Sequence, residues 1–84
     1  MNPDLTKLYG ENYAELAKQE IVELAKNSNI PFDQKFMQLG IDFLKIKAGM
    51  IITNNKPVPT LKSLVSESFG EAAMYKYNIA GGVL

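Results

Sequence analysis

Residues 32–52, with the sequence FDQKFMQLGIDFLKIKAGMII, decide the fold because they form the longest apolar stretch and carry a helical period. Placed at the roughly 100° intervals of an α-helix, their polar side chains occupy one arc and leave over half of the circumference apolar. These polar residues are Gln34, Lys35, Gln38, Asp42 and Lys45. Such a helix needs neighbours on two sides, so we expect 32–52 to be the central helix of a small bundle.

A second helical segment precedes the central one, at about residues 3–26. Asn2 is a plausible N-cap and Pro3 occupies the first helical position, which is the usual order of helix start signals. Apolar residues then recur at spacings of three and four, as on one side of an α-helix. Gly10 interrupts the pattern, so the first turns form either a separate piece or a kink.

The third helical segment follows a proline-containing linker at residues 53–59. Pro57 and Pro59 cannot both lie in a helix interior, and Thr60 is the expected N-cap of a helix over 61–77. We therefore predict one all-α domain spanning 1–84. It is a bundle of three helices, at about 3–26, 32–52 and 61–77, followed by a short apolar tail at 78–84.

The composition excludes most chemistry. The nine basic residues are all lysine and balance nine acidic residues, and the chain contains no Arg, His, Cys or Trp. Without His or Cys the usual metal ligands and the usual acid–base and nucleophilic groups are missing, so we expect no enzyme, no metal site and no cofactor. A neutral chain without arginine disfavours nucleic acid as a partner. Asp42, Lys45 and Lys47 interrupt the most apolar stretch, so we expect no membrane span.

Lys47 and Ser68 are two of the three polar residues, together with Glu20, that fall within the predicted apolar arcs. If the second and third helices form an antiparallel hairpin, Lys47 lies within about one turn of Ser68 and Glu71. Lys47 then either extends its ammonium along the surface to solvent or joins an inter-helix or inter-subunit polar contact that fixes the register. Both residues are therefore candidate interface residues.

The end of the chain supplies the other candidates. Tyr75 and Tyr77 point to different sides of the last turn, so one of them is expected to be an exposed interface anchor. The tail at 78–84, which contains Gly81 and Gly82, is either flexible or docks into a groove on a partner, because apolar residues are unusual in a solvated terminus. The apolar tail residues are Ile79, Val83 and Leu84.

These surfaces favour protein–protein association as the function. We expect an oligomeric structural or assembly subunit that binds itself or another protein, and this composition is typical of small phage products. An adaptor or inhibitor of a larger protein is the alternative. A helix-turn-helix regulator, with its turn at Gly70, is a further alternative. The polar, acidic residues 1–4 do not resemble a signal peptide, so we expect a cytoplasmic location, or a virion-associated one for a phage product.

Overall fold

The computed structural model describes residues 5–77, which form an all-α bundle. Its helices are α1 (Leu5–Tyr9), α2 (Tyr13–Asn27), α3 (Gln34–Thr53) and α4 (Leu61–Tyr77). The predicted helical bundle is confirmed, and the second and third predicted helices correspond to α3 and α4. The predicted N-cap at Asn2 and the tail residues Ile79, Val83 and Leu84 lie outside the described residues.

The first predicted helix is two helices, and Gly10 divides them. Gly10 has a φ of +93°, a conformation that residues with a Cβ rarely adopt. Its N–H donates to the carbonyl of Thr6 (2.8 Å), while its own carbonyl accepts from the N–H of Tyr13 (3.2 Å). Helix α1 therefore ends at the glycine, and α2 starts after one turn. Of the two alternatives that the sequence left open, a separate piece or a kink, the structure has the separate piece.

The start of α3 lies two residues later than predicted, because Asp33 caps this helix. Asp33 has extended backbone angles, and its carboxylate accepts a hydrogen bond from the N–H of Phe36 (2.8 Å). Thr60 caps α4 as predicted, with its hydroxyl oxygen accepting from the N–H of Ser63 (3.1 Å). Capping side chains of this kind each stabilise a helix by about 1 kcal/mol.

Asparagines with positive φ follow two of the helices. Asn29, after α2, and Asn55, after α3, both have a φ of 54°, the left-handed conformation that asparagine tolerates better than most residues. In each case the next N–H returns to the carbonyl of a residue five positions earlier, as in a Schellman motif. These bonds run from Ile30 to Ala25 and from Lys56 to Ile51, both at 3.0 Å.

The core lies between α2, α3 and α4, with the most extensive packing between α3 and α4. Its largest fully buried apolar side chains are Ile21, Phe36, Leu44, Leu64 and Val65. Phe36 packs edge-on against Phe69, with ring centroids 5.4 Å apart. A Cβ at Gly40 would lie 3.0 Å from Cδ1 of Ile21, so this glycine lets α2 approach α3 closely.

The short helix α1 rests on the rest of the bundle through Leu5 and Tyr9. Leu5 is buried in the core cluster. The hydroxyl of Tyr9 donates to the carbonyl of Pro59 (2.9 Å), and burial raises the pKa of this phenol. Tyr9 therefore links α1 to the linker between α3 and α4.

Helix α4 runs through Gly70 without interruption. The helix-turn-helix alternative expected a turn at Gly70, and that expectation is wrong. A single glycine costs a helix only about 1 kcal/mol, which the packing of the buried α4 face offsets.

Alanine substitutions at two glycines test the explanation of the helix break. A Cβ at Gly10 would meet no atom within 4 Å, so the cost of Gly10→Ala is backbone strain alone. We expect it to lower the free energy of unfolding by about 1–2 kcal/mol. The matched control is Gly70→Ala, which also meets no atom within 4 Å but lies inside α4. It should raise the free energy of unfolding by about 0.5–1 kcal/mol. Urea denaturation measures both, and changes of the same sign would contradict the explanation.

Candidate interface on helices α3 and α4

Helix α3 carries a second apolar stripe besides the one that faces the core. The stripe consists of Leu39, Phe43, Ile46 and Met50, spaced by four, three and four residues. This spacing keeps apolar side chains on one line along a helix and is that of the seams through which helices pair. Leu39 and Phe43 are partly buried, whereas Ile46 and Met50 are 56% and 59% exposed. The half of the stripe near the end of α3 is therefore presented to solvent.

Helix α4 extends this apolar surface sideways through Met74 and Tyr75. Met74 is half-exposed and Tyr75 is 69% exposed. The ring of Tyr75 contacts that of Phe43 edge-on, with centroids 6.2 Å apart and an angle of 67° between the planes. A shallow, open depression lies among Phe43, Glu71, Met74 and Tyr75. Apolar side chains of two neighbouring helices thus form one surface.

An ion pair crosses between the helices in the middle of this surface. Nζ of Lys47 lies 3.1 Å from Oε2 of Glu71, and the two side chains are 24% and 50% exposed. The antiparallel hairpin considered from the sequence puts these residues within about one turn of each other, and the packing of α3 against α4 brings them together. Partial exposure limits such a pair to about 0.2–1 kcal/mol of stability.

We call this surface the α3–α4 face. It comprises Phe43, Ile46, Lys47 and Met50 on α3 together with Glu71, Met74 and Tyr75 on α4.

Ser68, the other polar residue singled out in the sequence, lies inside the bundle. It is fully buried, and its hydroxyl donates to the carbonyl of Leu64 one turn earlier (2.8 Å). The hydrogen bond that a buried hydroxyl requires is therefore made within α4. The hydrogen bond of Ser68 therefore stays within α4. The polar contact between α3 and α4 is made by Lys47 and Glu71.

The two tyrosines of the last turn diverge, as predicted from their spacing. Tyr77 is partly buried and packs against Phe36, with ring centroids 5.3 Å apart. Tyr75 is the exposed one and belongs to the α3–α4 face. The apolar residues Phe43, Ile46, Met50 and Met74 were not singled out in the sequence, although the wide apolar girth of α3 and its four-three-four spacing contained the signal.

A charged clamp closes one end of the α3–α4 pair. Nζ of Lys76 donates to both carboxylate oxygens of Asp33, at 2.8 and 2.9 Å, and lies 5.3 Å from the ring centroid of Tyr77. The hydrogen bond from Lys76, followed by that from the N–H of Phe36, holds the pKa of Asp33 below its ordinary value. The same contact with Asp33 raises the pKa of Lys76. The clamp ties the start of α3 to the end of α4.

Within 5–77, no group of three or more His, Cys, Asp and Glu side chains is arranged to hold a metal ion. No helix of the same range is long and apolar enough to cross a bilayer.

The lowered pKa of Asp33 predicts a pH-dependent contribution to stability. A carboxylate whose pKa is depressed in the folded state stabilises the fold at pH values above its ordinary pKa of 3.8. This stability is lost as the pH falls through the folded-state pKa. Asp33→Asn keeps a residue that caps helices well but removes the charge. We expect the wild type to be more stable than Asp33→Asn at pH 7 and the difference to shrink below pH 4, as measured by urea denaturation.

Asp42→Asn is the control for this comparison. The Asp42 carboxylate accepts a hydrogen bond from Gln38 (2.9 Å), and this contact lies within α3 instead of joining two helices. A stability difference between wild type and Asp33→Asn that stays constant from neutral to strongly acidic pH would contradict the assignment of the clamp.

Comparisons with known proteins found no matching family model, no matching curated protein and no matching solved structure.

Proposed function

We propose that this protein acts by protein–protein association, as a subunit of an assembly in which copies of the chain contact one another through the α3–α4 face. The observation that carries the proposal is the continuity of exposed apolar side chains across two packed helices. Ile46 and Met50 on α3 are joined through Phe43 to Tyr75 and Met74 on α4. Contiguous apolar surface of this kind is typical of interaction sites.

The charge of the chain supports a copy of itself as the partner. Nine lysines balance nine acidic residues, so two copies approach without net repulsion. The face itself holds one cation and one anion, Lys47 and Glu71, which are paired with each other. A face with both signs of charge can be complementary to its own copy, whereas a face of one sign cannot.

The chemistry of the described residues supports binding rather than catalysis. The chain has no His or Cys, so acid–base chemistry would depend on carboxylates, lysines and tyrosines. The groups whose pKa is displaced act within the fold: Asp33 caps α3 and pairs with Lys76, while Tyr9 donates to the linker. The α3–α4 face is mostly apolar and is suited to packing.

A charge placed in the centre of the face tests the proposal. Ile46→Glu should abolish the assembly and leave chains of 9.3 kDa, because burying an unpaired carboxylate between apolar surfaces costs several kcal/mol. The matched control is Leu16→Glu on α2, because Leu16 is exposed to a similar degree (49%) but lies away from the face. Sedimentation and light scattering over a concentration series measure the mass, and circular dichroism verifies that both variants are folded.

The wild type and the Leu16→Glu variant should have the same mass, a multiple of that of one chain. A wild type that remains a single chain at the highest concentration reached would contradict the proposal. An assembly that persists in folded Ile46→Glu would show that another surface holds the copies together.

A further inference from the structure

We propose that two copies pair with α3 of each lying over α4 of the other, about a two-fold axis that runs between α3 and α4 and parallel to them. This inference rests on the proposed function and names the element of the second copy that covers each helix. It is drawn from the placement of the charges and rings on the α3–α4 face.

The symmetry of a two-copy contact limits the possible arrangements. A two-fold axis that relates two copies through one shared face lies in the plane of contact. For two antiparallel helices side by side, the two limiting directions of this axis are along the helices and across them. An axis along the helices places α3 over α4 of the partner, and every residue keeps its height along the bundle. An axis across the helices places α3 over the same helix of the partner.

The Lys47–Glu71 ion pair distinguishes between these arrangements. The charged atoms of the two residues lie at one height, since Nζ and Oε2 are 3.1 Å apart. With the axis along the helices, Lys47 meets the partner's Glu71 and Glu71 meets the partner's Lys47, so four charges of alternating sign share one layer. With the axis across the helices at this height, Lys47 would meet the partner's Lys47. Like charges in such a contact are repulsive, so charge complementarity favours the axis along the helices over this arrangement.

The aromatic residues also favour the axis along the helices. Phe43 and Tyr75 also lie at one height, with ring centroids 6.2 Å apart. With the axis along the helices, Phe43 meets the partner's Tyr75, and edge-on packing of the kind seen within the chain extends across the contact. The exposed Ile46 then lies over the α4 turn that contains the partner's Met74. Apolar residues thus cover apolar residues on the side of the charged layer that contains Phe43 and Tyr75.

Cysteine cross-linking tests the arrangement directly, because the chain contains no cysteine and each variant therefore carries a single thiol. Full-length Ile46→Cys and Met74→Cys are mixed, equilibrated and treated with a short thiol-reactive cross-linker. The proposal expects a covalent dimer that contains one chain of each variant, identified by its mass. Ile46→Cys alone should yield little covalent dimer, since the axis places the two Ile46 positions over opposite helices.

Charge exchange provides a second and independent measurement. Lys47→Glu and Glu71→Lys each place like charges within the layer, and each should raise the dissociation constant by roughly tenfold or more. The double variant Lys47→Glu with Glu71→Lys restores alternation both within and between chains, so its dissociation constant should return close to that of the wild type. The double variant also controls for loss of the ion pair inside the chain.

The outcomes separate this inference from the proposed function. A dominant Ile46–Ile46 cross-link would overturn the arrangement but leave association through the α3–α4 face intact. An assembly that is disrupted by Ile46→Glu yet gives neither cross-link would overturn the pairing of α3 with α4. Single charge variants that associate as tightly as the wild type would likewise overturn it. A wild type that does not associate at all would overturn the proposed function together with this inference.

Discussion

The structure depends on the apolar girth of α3, which is wider than the rest of the described bundle covers. One side of α3 provides core residues such as Phe36, Leu44 and Ala48, and α2 and α4 bury them. A second side carries Ile46 and Met50, and both remain more than half exposed. A domain of this size buries only about 60% of the surface that its unfolded chain exposes. A bundle of this size therefore cannot cover both apolar sides of one helix. The exposed stripe on α3 is the consequence, and the proposed association of copies rests on it.

Much of the fold could be predicted from the sequence, because its signals are local. The helical period, the prolines of the linker and the cap at Thr60 depend on neighbouring residues, and the bounds of α3 and α4 follow to within two positions. Gly10 was identified as an interruption, but its positive φ could not be derived, since a glycine is tolerated inside a helix as well, as Gly70 is in α4. The cap at Asp33 is also a local signal and was missed because the helix was started at Phe32, whereas the contact of Asp33 with Lys76, 43 positions away in sequence, could not be derived locally.

The candidate site was predicted less completely, since a face on two helices depends on how they are rotated and aligned. Lys47 was found because it conflicts with the apolar pattern of its own helix, and Tyr75 because it and Tyr77 point to different sides of the last turn. Phe43 and Met74 conflict with nothing in sequence, and their place on the surface becomes visible only when α3 and α4 are packed together. Ser68 also conflicts with its pattern, but its hydroxyl is satisfied by a carbonyl of α4. A polar residue in an apolar arc therefore indicates either an interface or a local hydrogen bond, and the partner atom decides between them.

The Lys47–Glu71 ion pair has a different role in the single chain and in the proposed pair of copies. In the single chain both side chains are partly exposed, so the pair adds little to stability. When a second copy covers the face, both charges lose solvent, and each must be matched or the contact is penalised. The alternating layer provides a second opposite charge for each group. In the proposed pair of copies the apolar residues drive association. The charges determine specificity, because they allow the arrangement with α3 over α4 and disfavour the others.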